Sequence, residues 1–395
     1  MQNRAAFRSG ALLLLLASLT ACEAEEDPLR AVAAEEAAQS AGGDPAQGRQ
    51  VFRYETFGNE PFWTDTLRLH EVVQVAVDPV TALSVGLKVD VERLPPGLLA
   101  SADLTSPATT VELLRRDAVV GVQAKVSDGK IRSLGITCAL CHSTVDNSVM
   151  PGVGRRLDGW PNRDLNVGAI IALSPVLPPA VKAVYNSWGP GMYDAYFNLD
   201  GLNDPTVIPP AFGLADVALE TFTGEGPISY WNAYVAVTQM HGQGSFSDPR
   251  LGINIVQSPD RVTPLLGVLK AYQHSLRAPV PPPGSFDPAR AAAGKVVFEG
   301  QGRCATCHIP PTFTDVNLGI LHDPAETGMD PLLAQRATTG KYRTTPLRGV
   351  WQHPPYFHDG SAATLRDVVN HYDGVLTLGL SEEQKQNLVQ YLKSL

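Results

Sequence analysis

Four of the five cysteines in this 395-residue chain fall in two copies of one short pattern, and that pattern constrains the fold more than any other feature. Cys138-Ala139-Leu140-Cys141-His142 and Cys304-Ala305-Thr306-Cys307-His308 are each a Cys-x-x-Cys followed directly by His. Two thiols on one turn of backbone can add to the two vinyl groups of a haem. The next residue then lies beneath the ring, where its imidazole can ligate the iron. The cofactor implied is two covalently bound haem c groups, with His142 and His308 as the iron ligands. Zinc would not require a His after both pairs. Thioredoxin-like chemistry needs one pair in a βαβ setting, and a disulfide across two residues adds little loop entropy.

The fifth cysteine is accounted for at the N-terminus. Arg4 and Arg8 precede a short apolar run, Ala11 to Leu19, ending in Leu19-Thr20-Ala21-Cys22. That run is too short to span a bilayer and has the form of an export signal that is removed. Its ending resembles a bacterial lipobox, which implies a lipid anchor to a membrane at Cys22 and a periplasmic location. Residues 1–21 are thus a signal peptide. Residues 22–47 are acidic, Ala-rich and without apolar periodicity, the composition of a flexible tether. Lys plus Arg number 31 against 40 for Asp plus Glu, a net charge of -9, so no basic footprint for nucleic acid exists.

A short repeat marks where each haem unit begins. Asp44-Pro45-Ala46-Gln47-Gly48 leads into Val51-Phe52, and Asp287-Pro288-Ala289 leads through Gly294 into Val296-Val297-Phe298. Asp followed by Pro opens a helix, as N-cap and first helical residue. Cys304 follows Phe298 closely, whereas a long insertion separates Phe52 from Cys138. Alternation at Val73, Val75 and Val77, a β-prone run from Ala82 to Val91, and a hairpin signal at Ser127-Asp128-Gly129-Lys130 predict a small β insertion at about 66–134. The predicted order is a first haem domain at 48–278, a Pro-rich linker at 279–286 and a second haem domain at 287–395.

The second unit carries a series of segments. Phe313-Thr314-Asp315 is followed by Gly340-Lys341-Tyr342-Arg343-Thr344-Thr345-Pro346-Leu347-Arg348, then by Pro355-Tyr356-Phe357-His358-Asp359-Gly360 and Thr364-Leu365-Arg366-Asp367-Val368-Val369-Asn370-His371-Tyr372. In this order after a Cys-x-x-Cys-His, they resemble the C-terminal domain of the bacterial dihaem cytochrome c peroxidase and MauG superfamily. The resemblance covers roughly Asp287 to Leu395; across Gln47 to Phe246 only the haem motif and general layout agree.

The resemblance implies a mainly α protein of two cytochrome c-like haem domains, the first carrying the small β insertion. It implies hydrogen peroxide reacting at an openable first haem while the second relays electrons, and an electron-donor or acceptor protein such as a small cytochrome or cupredoxin. It places Arg348 among the cofactor-binding residues and Tyr372 on the far side of the second haem. The helix pattern agrees independently: Leu365, Val368, Val369 and Tyr372 fall at i, i+3, i+4 and i+7, with His371 rotated off the stripe. Met329, His358 and a Tyr372 that simply packs in the core are the alternatives. For the first haem, Met150, Met240, His241 or an open position remain. Gly152 to Trp160, with Arg155 and Arg156, suits a close loop carrying cations for haem propionates.

The superfamily also uses a Trp between its haems and an acid that moves a proton, for which Trp160 or Trp231, and Glu225, are the candidates. A Glu between two glycines equally suits a solvated turn. Ser381 with Gln384 predicts a capped terminal helix. Two further functions fit these motifs: a pure electron-transfer dihaem cytochrome, and dioxygen chemistry like that of the rubber oxygenases, distant dihaem relatives. Produced in a host competent in cytochrome maturation, the denatured protein is expected to retain the mass of two covalently held haems; a colourless product contradicts the assignment.

Overall fold

In the computed structural model the described residues are 43–395; the export signal, Cys22 and all but the last five residues of the tether lie outside them. Helix α1 (Pro45–Tyr54) begins inside the segment read as tether, because the Asp44 carboxylate accepts from Ala46 N and Pro45 starts the helix. Among the described residues no helix is long and apolar enough to cross a membrane.

The insertion holds more helix than β-structure. Helices α2 (Leu69–Ala76), α3 (Pro79–Ser84) and α4 (Pro107–Arg115) take up about a third of it, more than its strands do. Leu69, Val72 and Val73 also lie at i, i+3 and i+4, and that helical face prevails over the Val73, Val75, Val77 alternation, leaving Val75 exposed and Val77 buried just past the helix end. Asp78 caps α3 through Thr81 N, so the run from Ala82 keeps only a two-residue strand, Val89–Asp90, paired parallel with Val153–Gly154. The hairpin forms where its turn residues place it, as β1 (Val122–Ser127) and β2 (Lys130–Ile136), with Asp128 and Gly129 both at positive φ. Its second strand ends just before Cys138.

The remaining helices used below are α5 (Ala139–His142), α6 (Ile228–Tyr234), α7 (Leu266–Ser275), α8 (Pro288–Glu299), α9 (Leu365–Val375) and α10 (Glu382–Lys393). The sequence repeat becomes a repeated contact. In α1, Gly48 lies against α7 so closely that a Cβ would stand 1.9 Å from the Val268 carbonyl oxygen; in α8, Gly294 lies against α10 with 2.0 Å to Asn387 O. One turn further on, Phe52 meets Tyr272 edge-to-face at 5.5 Å and Phe298 meets Tyr391 edge-to-face at 5.1 Å. A glycine that lets two helices touch and an aromatic pair that locks them thus occur twice. Capping boxes Thr364/Asp367 and Ser381/Gln384 open α9 and α10.

Residues 276–286 hold no helix or strand and lead from the first helix pair to the second. The two halves meet through Arg163 Nη2 on His353 O at 3.1 Å, Val207 N on His358 O at 2.7 Å and Arg343 N on Phe222 O at 3.0 Å. Gly294→Ala should force α8 from α10 and cost about 3 kcal/mol, the upper range for overpacking; urea unfolding measures it, and an unchanged midpoint would contradict the contact.

Candidate haem-binding sites

Each Cys-x-x-Cys-His is wound into one turn. In the first, α5 carries Cys138 at its N-cap and His142 at its end; in the second, Cys304 to Thr306 form a 3-10 turn and His308 N bonds Cys304 O at 2.9 Å. All four cysteines are free thiols, and burial pushes Cys138 and Cys141 up to about 12 and Cys304 up to about 11. The two imidazoles are held alike. His142 Nδ1 stands 3.0 Å from Pro209 O, and His308 Nδ1 stands 3.0 Å from Phe313 O. An imidazole whose Nδ1 donates to a carbonyl carries its lone pair on Nε2, the tautomer a metal ligand needs. Burial favours that neutral form, holding His142 down to about 4 and lowering His308 as well.

His142 lines a cavity of about 270 Å³ with Cys138 and Cys141. Most of its wall is apolar, from Leu69, Val73 and Leu114 of the insertion to Val207 and Ile208; Glu220, Asn232, Gln273 and Arg343 make one polar side. Trp231 and Met240 are on the wall. His241 instead stacks on Phe62 at 3.5 Å, off the cavity, and Met150 is exposed.

The fit of a haem is tested by buried donors that lack acceptors. Arg163 Nε and Nη1, Arg343 Nε and Gln352 Nε2 are buried without a hydrogen-bond partner. Burial brings Arg163 down to about 10 and Arg343 down to about 10. A buried guanidinium without an acceptor is costly, and the propionates of a haem are the anions such groups take. The residues present fit the cofactor. Arg348 donates from Nε and Nη2 to Pro311 O at 3.2 and 3.0 Å and from Nη1 to Ala215 O at 3.3 Å.

The other expected residues separate clearly. Trp160 follows Gly159, whose N bonds His142 O at 2.8 Å, and meets Trp351 of the second half edge-to-face at 6.2 Å and Phe212 at 6.3 Å. Trp231 packs on Tyr234 at 5.0 Å and Tyr196 at 6.2 Å. Glu225 is no solvated turn residue: it is 1% exposed, accepting from Tyr196 Oη at 2.7 Å, Thr223 Oγ1 at 2.9 Å and Thr338 N at 3.1 Å. It stands behind Tyr196, which is on the cavity wall, while Glu225 is not.

At the second motif, Tyr372 faces the thiols. Burial first, then Cys307 and Cys304, push its phenol up to about 12. His371 is occupied elsewhere, its Nε2 2.8 Å from Thr327 O. His358 stacks on Tyr342 at 4.6 Å with its Nε2 3.1 Å from the Tyr342 hydroxyl, and Met329 packs against the core cluster that contains Tyr342. Arg163, Arg343, Trp351 and Glu220 were not singled out from the sequence. Arg343 lies in the series quoted above, but the others have no local signature.

Residues 340–373 match the family model described as RoxA-like, cytochrome c-like. The chain is 30% identical over 152 residues to the cytochrome-c peroxidase IdrP1 of Denitromonas iodatirespirans, covering 27% of this chain and 40% of that one. It is 28% identical over 122 residues to the methylamine utilization protein MauG of Methylorubrum extorquens, covering 27% and 35%. Hydrazine synthase of Kuenenia stuttgartiensis aligns over 49% of this chain and 73% of that one, at 21% identity and a TM-score of 0.33. The chain spans 35 to 41% of the length of the curated relatives it matches. Fold and motif define a protein with a cytochrome c-like domain for c-type haem. More narrowly, the curated proteins it resembles over that stretch are cytochrome-c peroxidases and MauG, and the likeness is to the dihaem peroxidase and MauG superfamily.

His353 is held down to about 3 from 6.5, by burial and then by Arg163. The unfolded chain therefore binds a proton that the folded one refuses, and the stability this contributes is full above pH 6.5 and lost as pH falls towards 3. His353→Gln should lose less stability across that window than the parent; parallel melting-temperature curves against pH would contradict it.

Proposed function

We propose that the protein is an exported, lipid-anchored dihaem c-type cytochrome that reduces hydrogen peroxide, or uses it to oxidise a partner protein. The observation that carries this reading is the repeated pinning of a buried imidazole, His142 on Pro209 O and His308 on Phe313 O, each next to two free thiols. Cys138 and Cys141 hold one haem and Cys304 and Cys307 the other, with His142 and His308 beneath. When bound, the haems supply one-electron storage and a site where peroxide can be reduced.

The chain's own residues divide the remaining work. Arg163 and Arg343 offer propionates the donors now without acceptors. The apolar cavity wall excludes bulk water from the first site. Trp160 and Trp351, in contact across the junction of the two halves, supply an aromatic path between the sites. Glu225 holds the Tyr196 hydroxyl and so positions the wall. Tyr372, buried beside Cys307 and Cys304, would offer the second haem an oxygen donor, and an anionic oxygen donor favours the higher oxidation states. Electrons arrive from a small cytochrome or cupredoxin in the periplasm, two of them and two protons converting one peroxide to two waters.

A second reading, oxygenation of an apolar substrate, is favoured by one feature. Ser174 Oγ bonds Leu67 O at 2.7 Å, bringing Leu173 beside the start of α2. Leu173 is both on the cavity wall and 37% exposed, so the wall reaches the surface at an apolar residue.

Tyr372→Phe should shift the visible bands of one haem while leaving the other's response to peroxide intact. Unchanged spectra would reduce Tyr372 to packing. Two low-spin haems that do not respond to peroxide would make the protein an electron carrier.

A further inference from the structure

One buried acid on the cavity wall has a route to solvent. The Glu220 side chain is 1% exposed, and its Oε1 stands 2.6 Å from Nε2 of His274. The His274 side chain, in the last turn of α7, is 29% exposed. The other oxygen, Oε2, accepts from Ile228 N at the start of α6. Arg343 faces Glu220 from the second half without forming an ion pair, and its Nε has no partner. His274, Arg343 and the Ile228 amide are thus the groups arrayed around this carboxylate. Glu220 shares the cavity wall with His142, whereas Glu225 does not.

We propose that Glu220 and His274 are the proton path between solvent and the first haem cavity. Besides the motif residues, the wall's other polar groups are amides, hydroxyls, Arg343 and a second carboxylate, Asp194, which is taken up by Arg336 at 2.9 Å and by the amides of Tyr196 and Phe197. Glu220 is the wall carboxylate in contact with a part-exposed imidazole, and His274, 2.6 Å away, is the side chain through which protons can pass on to water. The inference rests on the proposed open first site and deepens it by naming how its substrate is protonated.

The balance is simple in both directions. Reducing hydrogen peroxide to two waters takes two electrons from the reduced donor protein and two protons from water. For each proton, His274 takes one from water on Nδ1 and gives its Nε2 proton to Glu220 Oε1, the carboxyl passes it to peroxide oxygen, and a turn of the part-exposed ring restores the starting tautomer before the next. Hydrogen cyanide tests the reverse path. It enters as the neutral acid and is retained as the anion, so its proton must pass to Glu220 and out through His274.

Cyanide binding to the fully loaded ferric protein, followed by the shift of its main haem band across pH 5 to 9 in stopped flow, is the test. Glu220→Gln, which keeps an acceptor for Ile228 N, should slow association about 100-fold, the low end of what a positioned proton carrier contributes. It should also flatten the pH profile. His274→Gln, a partly exposed substitution that leaves the core packing alone, should slow association while retaining part of the pH dependence. If both variants bind cyanide at the parent rate with the parent pH profile, the path is overturned while the open site stands. A parent protein that binds no cyanide overturns the open-site reading and this path with it. Should Glu220→Gln fail to fold, an unchanged rate and profile in His274→Gln alone overturns the path.

Discussion

A main-chain carbonyl on the Nδ1 of each motif histidine is the interaction on which everything else depends. It does three things at once: it fixes the ring orientation, selects the tautomer with a free Nε2, and satisfies the one polar atom that burial would otherwise strand. The carbonyls come from different contexts, Pro209 far along the chain and Phe313 five residues on. The first site therefore exists only when the long connection through residues 201–213 is folded back, while the second is built almost locally. That difference explains why the second half carries a recognisable series of segments and the first does not.

The junction between the halves is where charge and aromaticity collect. Arg163 reaches His353 O and retains two N–H groups without acceptors; Arg343 reaches from the second half to the wall of the first cavity. Neither has a carboxylate within ion-pair distance among the described residues. Trp160 and Trp351 touch in the same region. Buried guanidinium N–H groups without acceptors at this junction suit the anionic edge of a cofactor, and the same junction holds the aromatic contact between the halves.

What the sequence made legible follows from distance along the chain. The two motifs, the Asp-Pro helix starts, the hairpin turn and the capping boxes are decided by neighbours, and the structure has them where those residues stand. The insertion was misread because Val73, Val75 and Val77 satisfy a period of two while Leu69, Val72 and Val73 satisfy a helical one, and the exposure of Val75 goes with the helix. Glu225 was chosen for its glycine-flanked setting, yet Tyr196, Thr223 and Thr338 enclose it. Glu220, Trp351 and Arg163 acquire their meaning from partners 54 to 191 positions away, such as His274, Trp160 and His353, and no local pattern announces such contacts.

Electron paramagnetic resonance of the oxidised protein tests the central claim most directly, since it counts haem irons and reports the far-side group of each. The account predicts two ferric signals of equal integrated intensity, one high-spin from the cavity beside His142 and one low-spin from the site facing Tyr372. A single signal, or two identical ones, would contradict it.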